Sequence, residues 1–317
     1  MKTRFLFTAL LAAILTLAGC TSYGPSPAGQ EQITTLNPAA AQRPALPPGE
    51  PFRFTVAADN RPGFLNRRGF QWAISEMNRL IGNEGAFLIM AGDFDPPHVT
   101  DHDFRTQFGA DMVWYPVVGN HEAETPADME WVRDRFKYLP YIVRQGPPGS
   151  ETTTYSFDYG SAHFVVLNQY YTGGNDHSGK GNVCDPLYEW LKADLNATKQ
   201  PFIFVIGHEP AYPGGRHVGD SLDLYPANRD RFWKLLNERG VAAYFCGHTH
   251  SYARYQKGGN WPTTTWQVDI GNLGQGSPQT FVDVVVAADK VRFSVYGGTP
   301  GKAFTVHDAW TVQIDHR

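Results

Sequence analysis

Four short polar motifs in this chain carry the residue types that bind metal ions. They read Gly92-Asp93, Gly119-Asn120-His121-Glu122, Gly207-His208-Glu209-Pro210 and Gly247-His248-Thr249-His250. Each motif follows an apolar, β-rich run, so each is expected at the carboxyl end of a strand, where open α/β sheets build their sites. Oxygen and imidazole ligands that converge from several strands suit transition metals, and two ions rather than one.

The segments between the motifs predict the elements that must position them. Apolar spacing predicts a helix over 67–80, a second from Pro126, a third from Asp185-Pro186, and a fourth over 229–239 that ends at Gly240. Residues 154–159 and 162–167 predict a hairpin, and residues 263–270 and 281–296 a closing antiparallel set with a turn at 288–290. Strands that alternate with helices indicate an α/β fold.

Taken together, the motifs resemble those of the calcineurin-like metallophosphoesterases, the superfamily that includes the purple acid phosphatases. That family has an Asp motif after its first strand, then Gly-Asp, Gly-Asn-His-Asp/Glu, Gly-His and Gly-His-x-His. Here the first motif is Asp59-Asn60-Arg61, and the match covers nearly all of the chain that follows the first 50 residues. The resemblance implies a two-sheet β sandwich flanked by helices, in four layers ordered αββα.

The same resemblance implies a two-metal centre of Mn, Zn or Fe. Its implied ligands are Asp59, Asp93, Asn120, His208, His248 and His250. Asp93 would give one oxygen to each ion. Asn120, His208 and His248 would complete the coordination of one ion, and Asp59 and His250 would bind the other. Because alternate residues of an extended segment face opposite ways, a turn must bring His248 and His250 to neighbouring ions.

His121 is expected to act on substrate rather than on metal. By family resemblance it hydrogen-bonds the phosphate or protonates the leaving oxygen, a task that suits imidazole near neutral pH. Glu122 either orients His121 or begins a surface helix. Asp95 either adds an acceptor to the site or, before Pro96-Pro97, serves only in a turn.

Arg61 departs from the family pattern. The family often has a ligating His there, and the purple acid phosphatases instead use a Tyr three residues after the bridging Asp, where this chain has Pro96. The ion assigned to Asp59 and His250, the first ion, therefore keeps three evident protein ligands: these two residues and Asp93. Either water completes the coordination of this ion, or the ion binds weakly, or Arg61 replaces part of the ion's charge and clamps phosphate bidentately. The plain alternative is that Arg61 pairs with Asp59 or Asp95.

The amino terminus predicts export with a lipid anchor. Lys2 and Arg4 precede an apolar run that is too short to span a bilayer, and Leu17-Ala18-Gly19-Cys20 resembles a bacterial lipobox. Residues 1–20 are therefore predicted to be a lipoprotein signal peptide with Cys20 as the lipidated residue, and a transmembrane anchor is the alternative. Residues 21–50, rich in Pro, Ala and Gly, form a tether, and residues 51–317 form the metallophosphoesterase domain. The mature protein is expected on the cell envelope, on the outer membrane if the organism has two membranes.

The charge of the chain limits the kinds of partner that we expect, and its cysteines allow one disulfide. The whole chain has 27 basic and 31 acidic residues, and without the leader the formal charge changes from −4 to −6. With no Lys/Arg run, nucleic acid is not expected as the main partner, whereas a phosphorylated small molecule remains compatible because metal ions dominate the local field. Cys184 and Cys246 could form a disulfide in an exported protein, or Cys246 could be a small buried thiol.

The leading expectation is a phosphoesterase in which metal-activated hydroxide hydrolyses a monoester or diester. A catalytically degenerate envelope protein that binds phosphate or another anion is the alternative, and Arg61 is the feature that favours it. The third possibility is a protein that binds its partners through aromatic loops. Two glycine-rich loops, 172–183 and 213–225, are either substrate-facing or uninvolved surface.

Overall fold

A computed structural model of the protein describes residues 46–47, 49–63, 65–258 and 264–313. The leader, its Cys20 and nearly all of the tether lie outside the described residues, so their boundaries stay predictions. In the described part, no helix combines the length and the apolar character that crossing a bilayer requires.

Two β-sheets face each other. In order across the sheet, the first contains β13 (Thr305–Gln313), β12 (Lys290–Gly298), β11 (Gln279–Val286), β1 (Phe52–Ala57), β2 (Gly85–Met90) and β3 (Trp114–Pro116). The second contains β4 (Ile142–Gln145), β5 (Tyr155–Tyr159), β6 (Ala162–Val166), β7 (Phe202–Ile206), β8 (Ala243–Cys246), β10 (Trp266–Ile270) and β9 (Tyr252–Tyr255). Strands β1, β2 and β3 are parallel, as are β6, β7, β8 and β10, so each sheet has a block of carboxyl ends on one edge.

Helices cover the outer faces. They are α1 (Arg67–Ile81), α2 (Pro97–Phe108), α3 (Asn120–Glu124), α4 (Pro126–Arg135), α5 (Asp185–Ala197) and α6 (Pro226–Glu238). Proline stands in the first turn of α2, α4, α5 and α6, where its missing N–H costs no hydrogen bond.

Aromatic side chains fill the space between the sheets. The Phe54 ring lies 5.0 Å from that of Phe164 and 5.2 Å from that of Phe204, and so joins the two sheets. Tyr115 and Phe157 stack at 3.8 Å across the same layer. Two further apolar clusters lie between the sheets and the helices, one for each sheet. The αββα sandwich that the motif resemblance implies is therefore confirmed.

The predicted closing set was wrong in one respect. Residues 263–270 were expected to pair with the following strands, but β10 joins the second sheet, parallel to β8 and antiparallel to β9. Only β11 and β12 form the predicted hairpin, and β13 extends it. Apolar alternation marks a strand without naming its partner. Helix α2 was missed because Pro96-Pro97 was interpreted as a turn, whereas Pro97 begins the helix. Cys184 and Cys246 are free thiols.

Candidate metal centre

The candidate ligands lie where the carboxyl ends of five parallel strands meet. Asp59 and Asp93 follow β1 and β2, and Asn120 follows β3 in the first sheet. His208 and His248 follow β7 and β8 in the second sheet. Because the strands in each block run in one direction, the two sheets deliver these side chains to a common edge.

Ligand-type atoms of the two sheets approach one another there. Asp59, Asp93 and His208 each offer an atom within 4.8 Å of the others. The His208 Nε2 atom lies 3.4 Å from Asp93 Oδ1, and His250 Nε2 lies 3.5 Å from Asp59 Oδ1. The rings of His208 and His248 are 5.0 Å apart between centroids.

Four of the expected ligand atoms are buried without a hydrogen-bond partner among the described residues. They are Asp59 Oδ1, Asn120 Oδ1, His208 Nε2 and His248 Nε2. Buried polar atoms are normally hydrogen-bonded, because leaving one unpaired costs about 1–3 kcal/mol. Two carboxylate or amide oxygens and two imidazole nitrogens are a donor set that suits transition metals. These residues therefore fit the metal centre that the motifs imply.

The ring orientation of His208 supports this fit. His208 Nδ1 lies 2.8 Å from the carbonyl oxygen of Ala91. A backbone carbonyl that accepts from Nδ1–H fixes the tautomer in which Nε2 keeps its lone pair. The His208 nitrogen that lacks a partner is therefore the one that a metal would use.

Burial sets the protonation of these groups. Desolvation lowers the pKa of His208 and of His250 to about 4, and that of His248 to about 2, so all three imidazoles are neutral at pH 7. Desolvation also raises the pKa of Asp93 to about 6 and that of Asp59 well above its usual range, with mutual repulsion adding to the Asp59 shift. Two buried carboxylates that repel each other are stabilised by a cation between them.

The backbone at this edge is strained. Seven non-glycine residues have a positive φ in the described part of the chain, and Tyr141 is the one outside this edge. The other six are Asp59 (55°), Arg61 (32°), Asp93 (54°), His217 (60°), His248 (71°) and His250 (58°). Such conformations cost about 1–3 kcal/mol each and concentrate at functional sites. The turns at His248 and His250 break the alternation of an extended strand, as the spacing of the two residues requires.

The motif glycines let the ligand loops come close together. A Cβ atom at Gly247 would lie 2.4 Å from Asp59 Oδ2, and one at Gly119 would lie 2.3 Å from Asp93 Oδ1. Any side chain at either position would therefore displace a candidate ligand.

Glu122 connects two ligand loops through its carboxylate. Its Oε2 accepts from the backbone N–H groups of Asp93 (2.9 Å) and Gly119 (2.8 Å), and its Oε1 accepts from that of Phe94 (2.8 Å). The side chain is fully buried, and burial followed by repulsion from Asp93 raises its pKa well above the usual range. The expectation that Glu122 orients His121 was wrong, because its hydrogen bonds go to the backbone of the loops that carry Asp93 and Asn120.

His121 lies at the rim of the cluster rather than inside it. Its Nε2 atom is 3.7 Å from Asp93 Oδ2, and the side chain is 31% exposed. The His121 backbone N–H donates to Asp93 Oδ1 at 3.2 Å. This position lets the ring reach both the Asp93 carboxylate and the solvent side of the site.

Arg61 pairs with Asp95, one of the two partners considered above. Arg61 Nε lies 2.9 Å from Asp95 Oδ1, and Nη2 lies 3.4 Å from Oδ2. The arginine side chain is 32% exposed. The pair spans the loops after β1 and β2, and so holds a guanidinium beside Asp59 and Asp93.

Residues that were not singled out in the sequence also contribute to this edge. His217 packs on His248, with 3.9 Å between ring centroids. Gln169 Oε1 accepts from the backbone N–H groups of both His208 (2.8 Å) and Glu209 (2.7 Å). Asp269 accepts from the Thr249 hydroxyl at 2.6 Å, between the two histidines of the last motif. The glycine-rich character of residues 213–225 was the signal that could have found His217, whereas Gln169 and Asp269 lie outside every motif.

Comparison with known proteins agrees with the motifs. Residues 52–252 match the family model described as calcineurin-like phosphoesterase, and the chain belongs to that family. Purple acid phosphatase 18 of Arabidopsis thaliana is 26% identical over 293 residues, which cover 84% of this chain and 60% of that protein. A probable inactive purple acid phosphatase 9 of the same plant is 27% identical over 214 residues, covering 55% of this chain and 31% of that protein. The chain thus spans less than two thirds of either relative.

Among solved structures, a dimetal phosphatase from Danio rerio superposes with a TM-score of 0.62 at 14% identity. The superposition covers 83% of this chain and 99% of the fish protein. At this identity the likeness concerns the fold, and it agrees with the two-sheet sandwich described above.

Proposed function

We propose that this protein is an exported, metal-dependent hydrolase of phosphoesters carried by small molecules. The observation that carries the proposal is the group of four buried ligand-type atoms without hydrogen bonds, on Asp59, Asn120, His208 and His248, where five strand ends meet. A site built to bind an anion directly would leave donors, not acceptors, unpaired. Unpaired acceptors call for a cation.

In this proposal Asn120, His208 and His248 would hold one transition-metal ion, Asp59 and His250 would hold the other, and Asp93 would contribute to both. Bound ions of this kind neutralise phosphoryl oxygens and activate water at neutral pH. The chain's own residues then orient the substrate and move protons. His121 stands at the open side of the cluster, where its imidazole can give a proton to the leaving oxygen. His217 packs against His248 and so restricts the motion of that ring.

The alternative is a degenerate protein that binds phosphate without turnover. One relative is named a probable inactive purple acid phosphatase, which is consistent with this alternative. Arg61 favours it, because arginine stands where the family often has a ligand. The presence of His121 and of all three candidate ligands of the second ion favours the enzyme.

Four single variants test the proposal. Asn120→Ala, His208→Ala and His248→Ala should each lose bound metal and most hydrolysis of a generic monoester and diester, because each removes a ligand from a site with few of them. His121→Ala should keep the metal and lower turnover by about 10²–10⁴-fold, as expected for loss of a general acid. His102→Ala, on the exposed face of α2, is the matched control.

Metal content by mass spectrometry and steady-state rates decide between the two functions. Full metal content and rate in all three ligand variants would refute the ligand set. A wild-type domain that holds manganese, zinc or iron but hydrolyses neither ester would favour the binding protein.

A further inference from the structure

The loop between β10 and β11, residues 271–278, contacts the two residues that are assigned to the first ion alone. The side-chain amide of Asn272 donates through Nδ2 to the backbone carbonyl oxygen of His250 at 3.1 Å. The side-chain amide of Gln275 donates through Nε2 to the backbone carbonyl oxygen of Asp59 at 3.2 Å. Asp59 follows a strand of the first sheet and His250 follows a strand of the second, so one loop joins two ligand positions that different sheets provide.

The 271–278 loop is itself held against the ligand loops. The backbone N–H of Leu273 donates to the carbonyl oxygen of Ala58 at 2.9 Å, next to Asp59 in the chain. A Cβ atom at Gly274 would lie 2.8 Å from the carbonyl oxygen of Asn60, so the two backbones are in direct contact. Asn272 is 4% exposed and Leu273 is fully buried. Because the loop is anchored in this way, its two amides can constrain the positions of the residues that they contact.

The ligands of the second ion have supports of their own. The side chain of Gln169 accepts from the backbone N–H of His208 at 2.8 Å, and Glu122 accepts from that of Gly119, just before Asn120, at 2.8 Å. The two ions also differ in ligand number, because the first has three evident protein ligands and the second has four. An ion with fewer ligands depends more on the placement of each of them, so the 271–278 loop should matter most for the first ion.

We propose that the 271–278 loop sets the spacing between Asp59 and His250, and that Asn272 and Gln275 are positioning residues for the first ion and not for the second. This inference rests on the metal ligands that the proposed function assigns. Both residues act through the backbone of a ligand loop, and neither contacts metal or substrate.

Titration of the metal-free protein with Mn²⁺, followed by calorimetry, tests this proposal without turnover. The wild type should bind two ions in two steps, and the weaker step belongs to the ion with three protein ligands. Gln275→Met and Asn272→Leu each remove an amide donor and keep a side chain of similar size. Each should weaken the weaker step about 10–100-fold, as is typical when a ligand loses its supporting partner, and leave the tighter step unchanged. Gln275 is only half-buried, so its variant remains informative if Asn272→Leu does not fold.

Electron paramagnetic resonance gives a second readout that a general loss of stability would not produce. Two Mn²⁺ ions about 3.5–4 Å apart have a spin-coupled signal. At a Mn²⁺ concentration that fills both sites of the wild type, Gln275→Met should lose this signal and show that of an isolated bound ion.

Gln256→Met is the matched control. The Nε2 atom of Gln256 donates to the carbonyl oxygen of Thr264 at 3.4 Å, beyond the end of β9 and away from the ligand loops, and this variant should titrate as the wild type does. An equal loss in both binding steps, or no loss in either step for Gln275→Met and Asn272→Leu, overturns the proposal. Failure of the proposed function has a different signature, in which the wild type binds two ions and hydrolyses neither a monoester nor a diester.

Discussion

At the scale of residues, the site combines groups each of which, taken alone, destabilises the folded protein. Asp59 and Asp93 are buried side by side, three histidines are held neutral by burial, and six residues adopt a left-handed backbone. These costs persist only if the surrounding structure imposes them or a ligand offsets them. The carboxylate of Glu122 is one such constraint, because it fixes the backbone of two ligand loops at once.

We therefore expect Glu122→Gln to weaken metal binding although Glu122 is not a ligand. The amide NH₂ of glutamine would face the backbone N–H groups that the carboxylate now accepts from, leaving at least one donor unpaired. Metal affinity should fall about 10–100-fold, and the free energy of unfolding by about 1–3 kcal/mol. Metal titration and urea unfolding measure both. Glu124→Gln, exposed on the same short helix, is the control, and unchanged metal affinity in Glu122→Gln would remove its positioning role.

Arg61 gives a second prediction at this scale. Asp95 engages Nε and Nη2 of Arg61, and this leaves Nη1 to clamp a phosphate oxygen. Arg61→Ala should then lower phosphate affinity about tenfold with metal content unchanged. If arginine instead blocks the first ion, Arg61→His should raise metal content from near one ion to near two, since a neutral imidazole can ligate. Identical phosphate affinity in wild type and Arg61→Ala would leave Arg61 as a plain partner of Asp95.

At the scale of elements, His163 ties β6 to β5 and α5, far from the ligand loops. Its Nδ1 lies 2.6 Å from Asp158 and its Nε2 lies 2.9 Å from Asp194. A ring with a carboxylate at each nitrogen is held as imidazolium. Burial alone would lower the pKa of His163, but the two hydrogen-bonded carboxylates outweigh it and raise the pKa to about 9.

This arrangement predicts a loss of stability in alkali. Because the folded-state pKa of His163 lies near 9 and the unfolded value near 6.5, the charged ring contributes about 3 kcal/mol below pH 6.5. That contribution disappears as the pH rises through about 9. Urea unfolding between pH 6 and pH 10 should show the decline in the wild type and in His102→Gln. His163→Gln should be less stable at pH 7 and flatter across the range, and an equal slope in all three proteins would contradict the assignment.

At the scale of the whole molecule, we predict that the phosphoesterase domain follows a leader that directs export. The proposed location on the cell envelope rests on Leu17-Ala18-Gly19-Cys20 and on the tether that follows. More than one acyl chain on Cys20 would anchor the protein stably, where a single chain gives only reversible binding.

Replacement of Cys20 should change where the protein is found. Cys20→Ser removes the thiol that the lipid would modify, so the protein should leave the detergent-extracted membrane fraction or fail to mature, while a Cys184→Ser control stays with the membrane. Fractionation with mass spectrometry of the amino-terminal peptide measures this. Membrane extraction that is the same for Cys20→Ser and wild type would refute the lipid anchor.

The sequence by itself determined the class of fold and which residues are candidate ligands. The candidate ligands are contiguous with the strands that present them, as in Gly247-His248-Thr249-His250 after β8, so local pattern suffices to nominate them. It also predicted α1 within one residue of its end and α5 from its first-turn proline, because apolar spacing and caps are local signals.

Only the tertiary structure decided which groups meet. Four contacts illustrate this: the pairing of β10 with β8, the hydrogen bonds of Glu122 to three backbone N–H groups, the pairing of Arg61 with Asp95, and the packing of His217 on His248. Each joins residues that are distant in the chain or that have several equivalent partners. Such contacts depend on strand order and on how two sheets stack. Both are set by burial of the whole core, and no single segment encodes them.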